Sequence, residues 1–370
     1  MLIGRKLILV EPDPNALVGF NPLEKGNSTS YQTMLELIGV FRNRWSDSFS
    51  LGPRTEQVFR NCLAVLIENN LTLLEASHFL ANKRFRSALL ANVSNLEVKN
   101  FWLNRYDKLS DAQKAFYADP VDNQITEFTS DPYIRRIVGQ KSTFSLRQSI
   151  DTKRWIILSV KKSQMKSNAL LLASIFLKKL EMAGLSRSDT LYSSRRPFYV
   201  LIDEFQDLSI SSISDMQTLL AQARKFALFL TMAHQNIFQL DRKLTEAILG
   251  NVKTLLIFRI SHTDASILTS EINPSGKEFI VKKLVELETG EAFLKFRGRP
   301  HRLVRLPLPP EPEVDAKTIE ELRNLSFHFY TKPVQEIERE IAERHEKLGL
   351  GPKKSRTKSG KTGDEDNDEW

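Results

Sequence analysis

Phe198-Tyr199-Val200-Leu201-Ile202-Asp203-Glu204 is five apolar residues running into two adjacent carboxylates. A buried strand with that ending sets both acids at the carboxyl edge of a parallel sheet, where open α/β folds bind their ligands. Two acids there could serve a nucleoside triphosphatase, Asp203 holding Mg2+ through water and Glu204 polarising the water that attacks the γ-phosphate. The bland alternative is a strand that simply ends in two solvated acids. Downstream, Gln235 closes Thr231-Met232-Ala233-His234-Gln235 at the end of the next apolar run. Adjacent parallel strands end at one sheet edge, so Gln235 can lie near Glu204, orienting water or sensing a γ-phosphate. Between the two runs, Arg224 ends a helix in Gln222-Ala223-Arg224-Lys225. At a subunit border such a guanidinium could neutralise transition-state charge in a neighbour's site. Singly, Arg224 reads as a cation favoured by the helix dipole and Gln235 as a polar strand end. The ordered combination favours the catalytic reading. His234 reads as a packed strand-end residue rather than a base.

The elements that must position these residues follow a clear grammar. Trp155–Val160, Phe198–Ile202, Ala227–Ala233 and Thr254–Ile260 are continuous apolar runs, each followed by a helical pattern: Gln164–Ala183, Ile210–Lys225, Leu240–Leu249 and Thr263–Ser270. Such alternation predicts a parallel sheet covered on both faces. Lys6–Val10 is an earlier strand of the same kind. Between them, residues 30–150 switch to helical periodicity; Val58, Phe59, Cys62, Leu63 and Leu66 share one face of Thr55–Glu68. The expected organisation is a first part of an α/β core over 1–29, an inserted all-helical subdomain over 30–150, the main core over 151–312, C-terminal helices over 313–350, and a disordered charged tail over 351–370. Ala292–Phe296 and Leu303–Leu306 read as a closing hairpin, and Val334–Leu348 as a charged amphipathic helix.

Composition narrows the classes. Hydrophobic residues make up 41% and charged residues 26% of 370, which excludes disordered and collagen-like chains. No apolar run approaches the ~20 residues that span a bilayer, no signal-peptide pattern opens the chain, and the single Cys62 excludes a disulfide framework. A cytoplasmic location is expected. The net charge of +8 fits a polyanion partner without requiring one. Phe101, Trp102 and Tyr106, near Lys99 and Arg105, could stack on single-stranded DNA, but their spacing favours a mixture of core and surface positions. Arg84, Arg86, Arg135, Arg136, Lys153 and Arg154 are candidate phosphate contacts that a solvated basic surface explains as well, so none is assigned.

FYVLIDEFQDL, LLAQARKFALFLTMAHQ and ILGNVKTLLIFRISHTDA together resemble the C-terminal half of FtsK/HerA-superfamily motor ATPases. The similarity is greatest to the TraD/TraG-like coupling proteins of conjugative DNA transfer by type IV secretion. VGFNPL at Val18–Leu23, RRIVGQ at Arg135–Gln140 and LETGEAFLKF at Leu287–Phe296 agree with it. The resemblance implies a RecA-like P-loop core with mainly parallel sheet plus an inserted all-α subdomain, a hexameric ring, ATP and Mg2+ as cofactors, and DNA, single-stranded or plasmid, as the translocated partner. Type IV secretion or relaxosome proteins become candidate partners, and the inner face of the cell membrane a candidate location through a missing N-terminal segment or partners. It implies a Walker B pair in Asp203 and Glu204, with Asp203 the metal ligand, a sensor in Gln235 and an arginine acting in trans in Arg224. Arg259, at the end of the next strand, is a weaker candidate for the nucleotide neighbourhood.

One part of the pattern is missing. No GxxxxGK[ST] followed by a helix occurs: Ser359-Gly360-Lys361-Thr362 lacks the first glycine, Gly139-Gln140-Lys141-Ser142 separates glycine from lysine, and Gly276-Lys277 is followed by Glu278. The expectation is a chain that starts after the phosphate loop, is inactive alone as an ATPase, and exposes apolar surface where a strand is lacking. Two other readings remain: a non-catalytic pseudo-ATPase module that binds DNA or a motor ring, and a HerA-like helicase or translocase in DNA processing.

Overall fold

The computed structural model describes residues 6–45, 52–160, 162–206, 213–272, 277–311, 313 and 315–350. The tail beyond Leu350, with Ser359–Thr362, and Gly276 lie outside them. Strand β1 (Leu7–Val10) is followed by β2 (Ala16–Val18), and after the helical block come β3 (Trp155–Leu158), β4 (Phe198–Ile202), β5 (Leu228–Met232), β6 (Thr254–Ile257), β7 (Glu291–Phe296), β8 (Arg302–Arg305) and β9 (Thr331–Pro333). β1 pairs with β3 and β4 with β5, both parallel, the arrangement that continuous apolar runs separated by helices produce. β6 departs from that pattern. It pairs antiparallel with β7, which pairs antiparallel with β8, so the fourth run joins the closing hairpin in a three-stranded sheet of its own.

β3, β4 and β5 alternate between exposed and half-buried positions along most of their length, whereas β1 alternates half-buried and buried ones. Ile156, Leu158, Phe198, Val200, Leu230 and Met232 pack against the main core. Trp155, Ile157, Tyr199, Leu201 and Phe229 point the other way; Tyr199 is 67% and Leu201 77% exposed. Tyr199 and Phe229, paired in register, stack with ring centroids 5.5 Å apart. The sequence composition is that of a sheet covered on both faces, and only one face is covered among the described residues.

Every helix or turn of helix from Ser30 to Asp151 belongs to a block without strands. Its centre is aromatic: Phe41 meets Phe59 and Phe128 edge-on, and Trp102 meets Phe79 and Tyr106 at 4.8 and 4.7 Å. Arg86 is buried there, its guanidinium 5.1 Å from the Tyr106 ring centre and 2.5 Å from Asp107, with the Phe79 and Leu80 carbonyls accepting its remaining donors. Phe101, Trp102, Tyr106 and Arg86 are thus core residues, out of reach of DNA. Cys62 is fully buried, which pushes its thiol pKa up and leaves it inert.

Two devices fasten this block to the strands. Asn21 donates to the Leu71 carbonyl at 3.1 Å while its own side-chain oxygen accepts from the Leu23 N–H. Gly19 beside it leaves no room for a side chain, because a Cβ would sit 2.2 Å from the Lys141 carbonyl. The second device is the C-terminal segment: β9 pairs antiparallel with β2, and the helix Val334–Lys347 then lies against the block. Glu338 receives Arg135 and Arg136 at 2.6 and 2.7 Å. Arg344 and His345 both reach the buried Glu75 at 2.9 Å, and Arg344 also donates to the Gly139 carbonyl. No described helix is long and apolar enough to cross a membrane.

Burial raises the pKa of Glu75, but the His345 hydrogen bond, the Arg344 charge and the two Thr72 donors outweigh it, leaving the carboxyl at about 2. A depressed folded-state pKa contributes stability that is complete above the unfolded value of about 4.5 and lost as pH falls toward 2. At about 1.4 kcal/mol per unit, the contribution is about 3 kcal/mol. Chemical denaturation at stepped pH should show wild type losing stability between pH 4.5 and 2, and Glu75→Gln should be weaker at neutral pH with a flatter profile across that window.

Candidate functional site

The carboxyl ends of β4 and β5 build the candidate site. Ile202 pairs with Met232, so the two chains leave the sheet side by side. The Ala233 N–H donates to the Ile202 carbonyl at 2.9 Å and the Phe205 N–H to the Ala233 carbonyl at 3.1 Å, which extends the ladder past the last strand residues. Glu204 sits between these bonds with φ at +49°, a left-handed conformation that costs a glutamate of order 1 kcal/mol. This conformation turns its side chain toward the β5 exit. There Gln235 donates to Glu204 Oε1 and Gln206 to Oε2, both at 2.5 Å. Asp203 is exposed at the strand end, and its Oδ1 accepts the Glu204 N–H.

The structure therefore joins Asp203, Glu204 and Gln235 at one edge. His234 is half-buried, its ring edge against Phe205 at 4.8 Å, and burial lowers its pKa, which keeps the imidazole neutral near pH 7. Gln206 was not singled out in the sequence, although its place two residues beyond Glu204, in a tight turn, was a usable signal.

Arg224 and Arg259 are placed elsewhere. Arg224 is exposed in the turn Ala223–Phe226, at the amino end of β5, whereas Gln235 follows its carboxyl end. Five strand residues at about 3.3 Å each separate them, so Arg224 cannot reach the carboxylates of its own chain. Arg259 is exposed just past β6, whose partner is β7 rather than β5, and the described contacts do not link it to Glu204 or Gln235.

The turn that presents Arg224 is clamped from below. Arg187 is buried and donates to the carbonyls of Phe226 and Arg196 at 2.8 and 2.7 Å, with Asp151 at 3.2 Å. Arg195 adds a bond to the Lys225 carbonyl. Ala227 closes the turn in the left-handed region at φ +56°, returning its N–H to Arg224. Nothing in the sequence marks Arg187: a lone arginine after an apolar helix ordinarily reads as surface.

A bound Mg2+ would find suitable chemistry in Asp203, since a hard cation takes carboxylate oxygen. Among the described residues no glycine turn offers a triphosphate the same. Gly139, the glycine candidate among the described residues, caps the helix Pro132–Val138 and packs on Leu74, and the Ser142 N–H is spent on Glu24. No group of three metal-ligating side chains occurs among the described residues.

The family described as the type IV secretion-system coupling protein DNA-binding domain matches residues 53–290. Among solved structures, the chain is similar to the unbound bacterial conjugative coupling protein TrwBdeltaN70, at 16% identity and TM-score 0.58 over 82% of this chain and 74% of that one. It is similar to the plasmid coupling protein TrwB in complex with the non-hydrolysable GTP analogue GDPNP, at 14% identity and TM-score 0.56 over 83% and 76%. VirB4 of Thermoanaerobacter pseudethanolicus follows at 12% identity and TM-score 0.54, covering 82% of each chain. At these identities the likeness is one of fold, a RecA-like core. No curated protein matches in sequence.

Arg187→Met removes a buried cation and leaves the Phe226 and Arg196 carbonyls without their donor, while Asp151 keeps Arg147, which should cost about 3 kcal/mol. Urea denaturation measures that loss. Amide exchange should also accelerate at Ala227, whose N–H reports the Arg224 turn.

Proposed function

Because this chain belongs to the type IV secretion-system coupling protein DNA-binding domain family, we propose that it is the DNA-engaging and water-activating part of an ATP-driven conjugative DNA motor. The observation that carries this reading is Glu204 held in a left-handed turn between Gln206 and Gln235, beyond two strands in parallel register. In this role Asp203 binds the metal and Glu204 accepts a proton from the attacking water. Gln235 fixes the direction of the Glu204 carboxylate. Mg2+, when bound, neutralises charge on the phosphoryl oxygens. The position of Arg224 at the opposite end of β5 supports an action across a subunit border, in a ring that the resemblance makes hexameric.

The phosphate-binding half has no counterpart in the 370 residues, since no GxxxxGK[ST] is present. The chain alone therefore binds nucleotide weakly and does not turn it over; structures of TrwB with GDPNP and with ADPNP place nucleotide binding in relatives of this fold. The missing cradle equally favours a second reading, a non-catalytic module that joins a motor ring.

A coupled phosphate-release assay on the purified chain with MgATP should give no rate above buffer, with or without DNA. DNA binding by the same preparation should be strong at low salt and fall steeply as salt rises. Turnover of about one per second or faster, abolished in Glu204→Gln, would show a complete active site and overturn the phosphate-half argument. Absence of DNA binding at low salt would remove the coupling-protein reading.

A further inference from the structure

The hairpin β7–β8 concentrates charge that the Asp203–Glu204 site does not use. From Glu291 to Arg305 it carries Lys295, Arg297, Arg299, Arg302 and Arg305 against the single acid Glu291. Gly298, at φ +76°, makes the turn that only glycine takes without strain, and the Arg299 N–H returns to the Phe296 carbonyl at 3.0 Å. The Arg297 N–H donates to the Lys253 carbonyl, which brings another cation beside the tip. Arg305 has Glu288 at 3.6 Å. Arg297, Arg299 and Arg302 are exposed, and none has a carboxylate within ion-pair distance among the described residues. These three guanidiniums, crowded on one hairpin, oppose folding, and an external polyanion relieves the repulsion.

The two faces of the hairpin differ. Phe293, opposite Ile257, enters the small core with Leu268, Ile280 and Leu284. Leu294 and Phe296 alternate onto the other face, where Leu294 pairs with Arg302. Phe296 is 40% exposed, and no other ring or cation stacks on it among the described residues. An accessible aromatic ring framed by guanidiniums is the combination that holds single strands: cations follow the phosphates and a base stacks on the ring. Duplex DNA keeps its bases stacked inside and offers nothing to Phe296.

We propose that the hairpin Glu291–Arg305 binds single-stranded nucleic acid, with Arg297, Arg299 and Arg302 on the phosphate backbone and Phe296 as a base platform. This rests on the DNA-binding reading above and names the surface responsible. The surface lies beyond residue 290, where the family match ends. It also sits at the amino end of β6, whereas Arg259 follows the carboxyl end.

Fluorescence anisotropy of the full chain with a labelled oligo-dT strand and with a duplex of equal length, over a salt series, tests the proposal. Arg297→Ala/Arg299→Ala/Arg302→Ala should bind the single strand about 10- to 100-fold more weakly, and the slope of log affinity against log salt should fall by about two units, at roughly 0.7 per phosphate contact. The corresponding Arg→Lys triple variant should keep most of the affinity. Phe296→Ala should cost about 5- to 100-fold on the single strand and leave duplex binding unchanged. Circular dichroism confirms that each variant is folded. If wild type binds DNA and the alanine triple variant matches it in affinity and slope, the hairpin is overturned and the DNA-binding reading stands. If wild type binds neither oligonucleotide at low salt, both fall. A Phe296→Ala loss equal on both oligonucleotides overturns the single-strand assignment. Stronger binding to anionic phosphatidylserine vesicles than to DNA, lost in the same triple variant, overturns nucleic acid as the partner.

Discussion

The parallel register of β4 and β5 is the constraint on which the functional reading depends. Twenty-nine residues separate the two strand starts, and only the pairing of Phe198 with Leu228 through Ile202 with Met232 makes their exits coincide. A one-residue slip would reverse every side chain between faces. It would also pull Gln235 away from Glu204 and turn Tyr199 and Leu201 into the core. The left-handed Glu204 is tolerable because the backbone bonds on either side of it hold the turn, Ala233 to Ile202 and Phe205 to Ala233. Local strain and long-range pairing are thus one device: the ladder fixes the turn, and the turn aims the carboxylate.

The rest of the molecule supports that edge from a distance. The long helix Lys162–Leu185 and the helical block fill one side of the strands, and the chain end returns to lock them. The buried carboxylate of Glu75 takes much of its compensation from a segment about 270 residues away, Arg344 and His345. Burying that charge without partners would cost several kcal/mol, so the C-terminal helix is part of the fold of the helical block. The antiparallel pair of β2 and β9 serves the same closure with three residues on each side.

Against this well-fastened side stands a bare one. Trp155, Ile157, Tyr199, Leu201 and Phe229 are residues that ordinarily lie inside a domain, and they are exposed here on one face of the parallel strands.

Much was legible in the residues themselves. Apolar runs of fixed length separated by helical periodicity determined the strand-helix alternation, because burial on one or both faces leaves its period in the sequence. The acidic pair at the end of Phe198–Ile202 and the glutamine after Leu228–Met232 could be placed at one edge for the same reason. The block of helices from Ser30 onward was equally visible. Tertiary structure alone decided the rest. β6 turned to an antiparallel partner because hydrophobic pattern specifies burial, not which neighbour supplies the hydrogen bonds. Arg187 and Arg86 became buried cations, and Trp102 and Tyr106 core rings, because partners some tens of residues away in the chain reached them. The three-residue pairing of β2 with β9 left no periodic signal at all, being too short to repeat. Local pattern records what a side chain must hide from water; which distant group meets it there is settled only when the chain closes on itself.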